Sequence, residues 1–401
     1  MIYFIILILL LILSYRYDYI GIKRQKWAWY YFIMFILICV AGFRYHLGVD
    51  TWRYQTYFET EQPDLSQLDF SELGNYKYDP LYNILVATCK TIIPEFWFVQ
   101  LVQAIIVNVA VFHFFRKYSK NVFIAITFYY IYLYIGYHFE TMRESCAIAM
   151  MLFGYEQFKN GRKLISLIFF VVSFFFHSSA LILLPVWIYL LFADNKVRIG
   201  YWVWIIAIVA MILSPIIVNQ FQDYLLLITL NDRIEGKIDT YQDSIFFDQH
   251  LNWKGMISFL FTNVLYPLVL IMSLKHYYKD NRYPHESMVL WALYMIVLSA
   301  PITIFYRYVN YFMPFIILVL ADTFSTRYIY LTSKIKIIVP SYQSKFLIIF
   351  LPIFLLTIST WLDPIKPNSN LKNYMKVYPY SSIFNPEDNP QRDAVMRYII
   401  E

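Results

Sequence analysis

Several short segments place side chains that bind anions or move protons at the ends of long apolar runs. FRYHLGVDTWRY, residues 43–54, holds Arg44, His46, Gly48 and Asp50 within about two helical turns. The planar guanidinium of Arg44 can grip phosphate oxygens through parallel hydrogen bonds, and a carboxylate such as Asp50 can take the proton of an attacking hydroxyl. The same two residues could instead form an ion pair that staples a loop at a membrane edge. HFETMRESCAIAMM, residues 138–151, has Arg143 between Glu140 and Glu144 at the start of an apolar helix. A cation in the first turn opposes the helix dipole and calls for an anion, either a ligand or one of the two glutamates. FFFHSSALILLP, residues 174–185, offers His177 beside two serines. Adjacent positions on a helix point in different directions and no acid is fixed nearby, so a serine hydrolase is excluded. His177 then either bonds a phosphate or hydroxyl group or is satisfied within the bundle. In FYRYVNYFMPF, residues 305–315, Arg307 sits among aromatic rings that include Tyr308 and Tyr311. An arginine stacked on tyrosines is a phosphate ligand or an aromatic-belt anchor.

The elements that must position these residues are membrane spans. With 60% hydrophobic and 15% charged residues over 401 positions, the chain is too apolar for a water-soluble domain. A span needs about 20 mostly apolar residues, and its cytoplasmic flank carries the excess of Lys and Arg. Basic clusters at Arg16, Lys23, Arg24 and Lys26, at Arg116, Lys117 and Lys120, and at Lys159, Arg162 and Lys163 mark inside loops. So do Lys196 and Arg198, then Lys275, Lys279 and Arg282, and finally Arg327, Lys334, Lys336 and Lys345. Two spans fit between successive clusters. The fold expected is all-α and polytopic, with about twelve transmembrane helices, both termini outside, and a single membrane domain over residues 1–401.

This orientation puts Arg44, Arg143, His177 and Arg307 together on the outer face, where basic residues are scarce and therefore need an anionic partner. The acidic residues Asp50, Glu59, Glu61, Asp64, Asp69, Glu72 and Asp79 crowd the first outer loop. That loop also contains the apolar piece Leu81–Ile93, bounded by Pro80 and Pro94 and interrupted by Lys90. It is too short to span, so it reads as an interfacial or re-entrant helix lying against the outer surface. Further outer features are expected at Gln220–Trp253 and after Trp361.

The net charge of +6 is dispersed over short loops, which gives no basic patch for nucleic acid. Cys39, Cys89 and Cys146 lie in apolar runs without metal-ligand spacing, so neither a disulfide framework nor a zinc site is expected. Asp50 has no second carboxylate beside it to hold Mg²⁺, and neither metal nor cofactor is expected.

The GVD loop after FR, the MRESCAIA helix start, FHSSAL, RYVNYF and the tail motif YPYSSIF at residues 378–384 together resemble the EpsG-type family of bacterial exopolysaccharide and capsule proteins. That family is similar in role to Wzy O-antigen polymerases. The family typically has Arg-Gln where this chain has Arg143-Glu144, which leaves the role of Arg143 open, since Glu144 could neutralise it. The resemblance implies a glycosyltransferase that joins undecaprenyl-pyrophosphate-linked oligosaccharide repeats at the outer face of the cytoplasmic membrane, with chain-length and export proteins as possible partners. On that scheme Arg44, Arg143 and Arg307 hold the pyrophosphate, Asp50 is the base, His177 assists, and Tyr54, Tyr308 and Tyr311 contact sugars. A surface helix beside the first outer loop is also a feature of GT-C glycosyltransferases, by analogy alone. A flippase of the same lipid-linked repeat or an O-antigen-type ligase are the alternatives. Two-fold repetition and charges deep in several spans, expected of a transporter, are not evident.

Overall fold

The computed structural model describes residues 2–193, 283–298, 305–324 and 370–400, with short pieces at 328–330, 336–338, 358 and 361–362. The contacts divide the chain into two compact units, Met1–Leu184 with Pro340–Glu401, and Pro185–Val339. The sequence leads to the expectation of one domain. The basic clusters from Lys196 to Arg282 and the loop 220–253 lie outside the described residues.

The first unit is built of α1 (Ile2–Leu13), α2 (Lys26–Gly42), α3 (Val49–Thr60), α4 (Pro80–Ile92), α5 (Phe96–Tyr118), α6 (Val122–Tyr129), α7 (Met142–Lys159) and α8 (Lys163–Phe176). Among the described residues, three helical stretches are long and apolar enough to cross a membrane: Ile2–Tyr19, Phe96–Tyr118 and Val122–Glu140. Shorter apolar helices occupy Lys26–Gly42, Lys163–Phe176, Ser178–Phe192 and Glu286–Ile296. Helix α1 is apolar on all sides: Leu7, Leu10 and Leu13 are buried, whereas Phe4, Ile5, Ile8 and Ile12 are exposed. Such a helix suits lipid on its outer face and protein on its inner face, and α8 repeats the pattern with Leu164, Ile168, Val171 and Phe175 outward.

Buried hydrogen bonds tie the helices of the unit together. Tyr30 on α2 donates to the Phe112 carbonyl on α5 at 2.8 Å, and Ser173 on α8 donates to the Ala147 carbonyl on α7 at 2.7 Å. After α6 the chain winds through π-helical turns Tyr130–Tyr134 and Gly136–Glu140. Here His138 is fully buried, with Gln103 at 3.0 Å on one ring nitrogen and Asn108 and Tyr129 at 3.0 and 3.1 Å on the other. Gln103 also donates to Ser145 at 2.7 Å, so one network ties α5, the π-helical turns and α7. A fully satisfied buried network of this kind fixes helix register.

The ends of these helices differ in chemistry. At one end Asp18 pairs with Lys26 at 3.1 Å and accepts the free N–H groups of Phe123 and Ile124 at the start of α6. Arg116 lies over the Trp27 ring and Lys117 pairs with Glu156 at 2.6 Å. The basic clusters around Arg16, Arg116 and Lys159 therefore share this end, as their spacing predicts. At the other end lie α3 and α4. The helix expected between Pro80 and Pro94 forms as α4, and its Lys90 donates to the carbonyls of Phe58 and Gln62 at 2.6 and 2.7 Å, at the negative end of α3. The C-terminal segment returns to the same end. Tyr45 donates to Ser381, Gly48 to Lys376 and Ile383 to Phe43, each backbone bond 3.0 Å. After it, α12 (Pro390–Ile400) packs on α3.

In the second unit, α10 (Glu286–Leu298) packs on α11 (Phe305–Thr323), whose Phe315–Ala321 run is fully buried. The described residues are helical as expected, apart from a short antiparallel ribbon that pairs Tyr328–Tyr330 with Lys336–Ile338. Helix α9 covers Leu183–Ala193.

Candidate active site

Asp79, the residue before Pro80 at the start of α4, brings three segments together. One carboxylate oxygen accepts from Arg143 Nη1 at 2.7 Å and from His177 Nδ1 at 3.2 Å. The other accepts the Ser178 N–H at 3.1 Å. Burial opposes ionisation of this carboxyl. The hydrogen bond from His177, the charge of Arg143 and the Ser178 N–H outweigh that and hold it below the usual carboxylate range. Arg143 also donates through Nε to the Tyr54 hydroxyl at 3.0 Å, and its guanidinium lies 4.6 Å from the Tyr78 ring centroid and 5.7 Å from that of Tyr54. Its Nη2 carries no bond among the described residues, and its side chain is 23% exposed. Arginine geometry leaves those N–H groups able to grip a phosphate while Nε and Nη1 stay fixed.

Arg143 therefore pairs with neither of the glutamates beside it in sequence. The Glu140 carboxylate instead faces the backbone at the start of α3, near Val49 and Asp50. Gly48 makes this junction possible. It has φ of +91°, and a Cβ there would stand 2.3 Å from the Phe139 carbonyl oxygen.

Arg44 and Asp50 do not form the joint site their spacing suggests. Arg44 is 1% exposed. It donates to the Ala41 carbonyl in the last turn of α2, to Thr51 Oγ1 at 3.2 Å and to the Met142 sulfur at 3.3 Å, and it lies over the Phe139 ring at 4.8 Å. Its Nε has no partner. The helix C-terminus and the ring face compensate the charge in place of a carboxylate. Asp50 pairs with Arg53 at 3.6 Å, one helical turn on, and its side chain is 38% exposed. The two arginines are nonetheless close, because Thr51 and Tyr54, on one face of α3, hold Arg44 and Arg143 respectively.

Arg307 lies in the first turn of α11 and is exposed, Tyr308 is half-buried and Tyr311 is fully buried. All three belong to the second unit, whereas Arg44, Asp50, Tyr54, Arg143 and His177 belong to the first. Among the described residues, no group of three or more His, Cys, Asp or Glu side chains could hold a metal ion. Sequence spacing gives no role to Asp79 or Tyr78. The available signal was Asp79-Pro80 at a helix start, which ordinarily means only a cap.

A family model described as the EpsG family matches residues 27–382. No curated protein and no solved structure matches the chain.

Proposed function

The chain belongs to the EpsG family, and we propose that it is a polysaccharide polymerase that joins undecaprenyl-pyrophosphate-linked oligosaccharide repeats at the outer face of the cytoplasmic membrane. Family membership supports a polysaccharide-polymerase type of role in general. The observation that carries the finer reading is the cluster around Arg143. A cation with unused N–H groups, flanked by tyrosine rings, is held next to a histidine and a carboxylate at one end of apolar helices. Glycosyl transfer from a lipid pyrophosphate needs those parts: a fixed positive charge for the leaving group, a proton acceptor for the attacking hydroxyl and flat surfaces for sugar rings.

In this reading Arg143 holds pyrophosphate oxygens through its open Nη2 side, and Tyr54 and Tyr78 fix its plane. Buried Arg44 adds positive potential behind the site, and Asp50, exposed on α3, is available to acceptor hydroxyls. The outer location is supported by the basic clusters gathered at the opposite ends of the helices. Deletion of the chain should cause lipid-linked single repeats to accumulate on the outer face, with polymer lost. Repeats trapped on the cytoplasmic face would mean a transporter, and polymer that forms but stays unattached would mean a ligase.

A further inference from the structure

Asp79 occupies the N-cap position of α4, directly before Pro80, yet its side chain makes no cap bond to that helix. An aspartate there ordinarily accepts the N–H of the second or third helical residue. Both oxygens of Asp79 are turned instead towards the neighbouring segments, one to Arg143 and His177 and the other to the Ser178 N–H. The same carboxylate thus fixes the histidine ring and the backbone that carries it. A neutral imidazole that donates through Nδ1 keeps its lone pair on Nε2. Nε2 of His177 has no partner among the described residues, and the side chain is 14% exposed.

We propose that His177 is the proton acceptor of the transfer reaction and that Asp79 is its positioning residue. The assignment rests on the polymerase reading above. In the step, the hydroxyl of the acceptor sugar gives its proton to His177 Nε2, and its oxygen forms the new bond to the anomeric carbon of the donor. The bond from that carbon to the pyrophosphate oxygen breaks, and its electron pair leaves with the lipid pyrophosphate. Charge bookkeeping favours this arrangement. Arg143 and Asp79 balance each other beforehand, so the imidazolium formed in the step adds one positive charge as the leaving group becomes more negative. Asp79 keeps that imidazolium oriented and stabilised without itself taking the proton. Asp50 lacks such support: it is exposed, and its ion pair is with Arg53 on its own helix.

Arg143 on α7 is the charged group bonded to the pair, and Tyr54 on α3 and Tyr78 before α4 flank it in turn. The test uses the full chain in liposomes, with lipid-linked repeats extracted from cells lacking it as substrate and undecaprenyl pyrophosphate as the binding probe. Asp79→Asn should lower single-turnover rate by roughly 100-fold or more. It should leave probe binding equal or stronger, because Arg143 loses a competing carboxylate. His177→Ala should lose turnover and recover part of it with added imidazole, which also decides the matter if Asp79→Asn fails to fold. Native chain that makes no polymer sinks the polymerase reading and this assignment with it. Active native chain, combined with full turnover in His177→Ala or with a loss that imidazole does not restore, overturns the assignment alone. Collapse of turnover in Asp50→Asn with full turnover in Asp79→Asn returns the role to Asp50.

Discussion

Asp79 holds Arg143, His177 and Ser178 together only while it is ionised. Its carboxyl lies below the usual range when folded, so the native state favours the charged form more than the unfolded chain does. The contribution is therefore complete above the ordinary carboxylate value of about 4 and is lost as pH falls through the lower folded value. Thermal unfolding of the purified protein should show native above Asp79→Asn at pH 7, with the gap closing towards pH 3. A gap that persists unchanged at pH 3 would mean the stabilisation has nothing to do with the charge. Arg143 and His177 are legible as candidates in the sequence because each is a polar residue stranded at the end of an apolar run. Asp79 is not, since its partners stand 64 and 98 positions away and nothing local marks it apart from the other acids of the same loop.

Helix α3 is the element on which the site depends, because it carries Thr51 to Arg44 and Tyr54 to Arg143. Its own start is set by Gly48 and by the Lys376 carbonyl, which accepts the Gly48 N–H. Gly48→Ala would place a methyl against the Phe139 carbonyl at 2.3 Å in a backbone conformation that L residues rarely adopt. Its cost should be roughly 1–3 kcal/mol, read as a lowered unfolding temperature, with weaker binding of undecaprenyl pyrophosphate because Tyr54 shifts. A variant as stable as native would show that the junction tolerates a shift and that α3 is not pinned there. The tail motif YPYSSIF reads in sequence as part of a family resemblance. Its physical task is seen only when Ser381 and Ile383 meet Tyr45 and Phe43, across more than three hundred positions of chain.

Over the whole molecule, orientation follows from which helix ends carry the basic clusters. Single cysteines at Asp64 and Asn385 should react with an impermeant reagent from outside, and those at Lys120 and Lys163 only after permeabilisation. Outside labelling at Lys163 would invert the arrangement. Composition alone determined that this is a membrane protein of apolar helices, because a chain 60% hydrophobic cannot be covered by its few charges. Local pattern also determined the short helix between Pro80 and Pro94, since proline bounds and an internal lysine act within a few residues. The tertiary structure decided the pairings. Arg143 has two glutamates for neighbours and joins Asp79 instead, and Arg44 has Asp50 nearby and takes carbonyl, hydroxyl, sulfur and ring partners. Which donor meets which acceptor depends on where whole helices cross, and that is set by the summed packing of apolar faces and buried polar networks, a quantity no single segment of sequence contains.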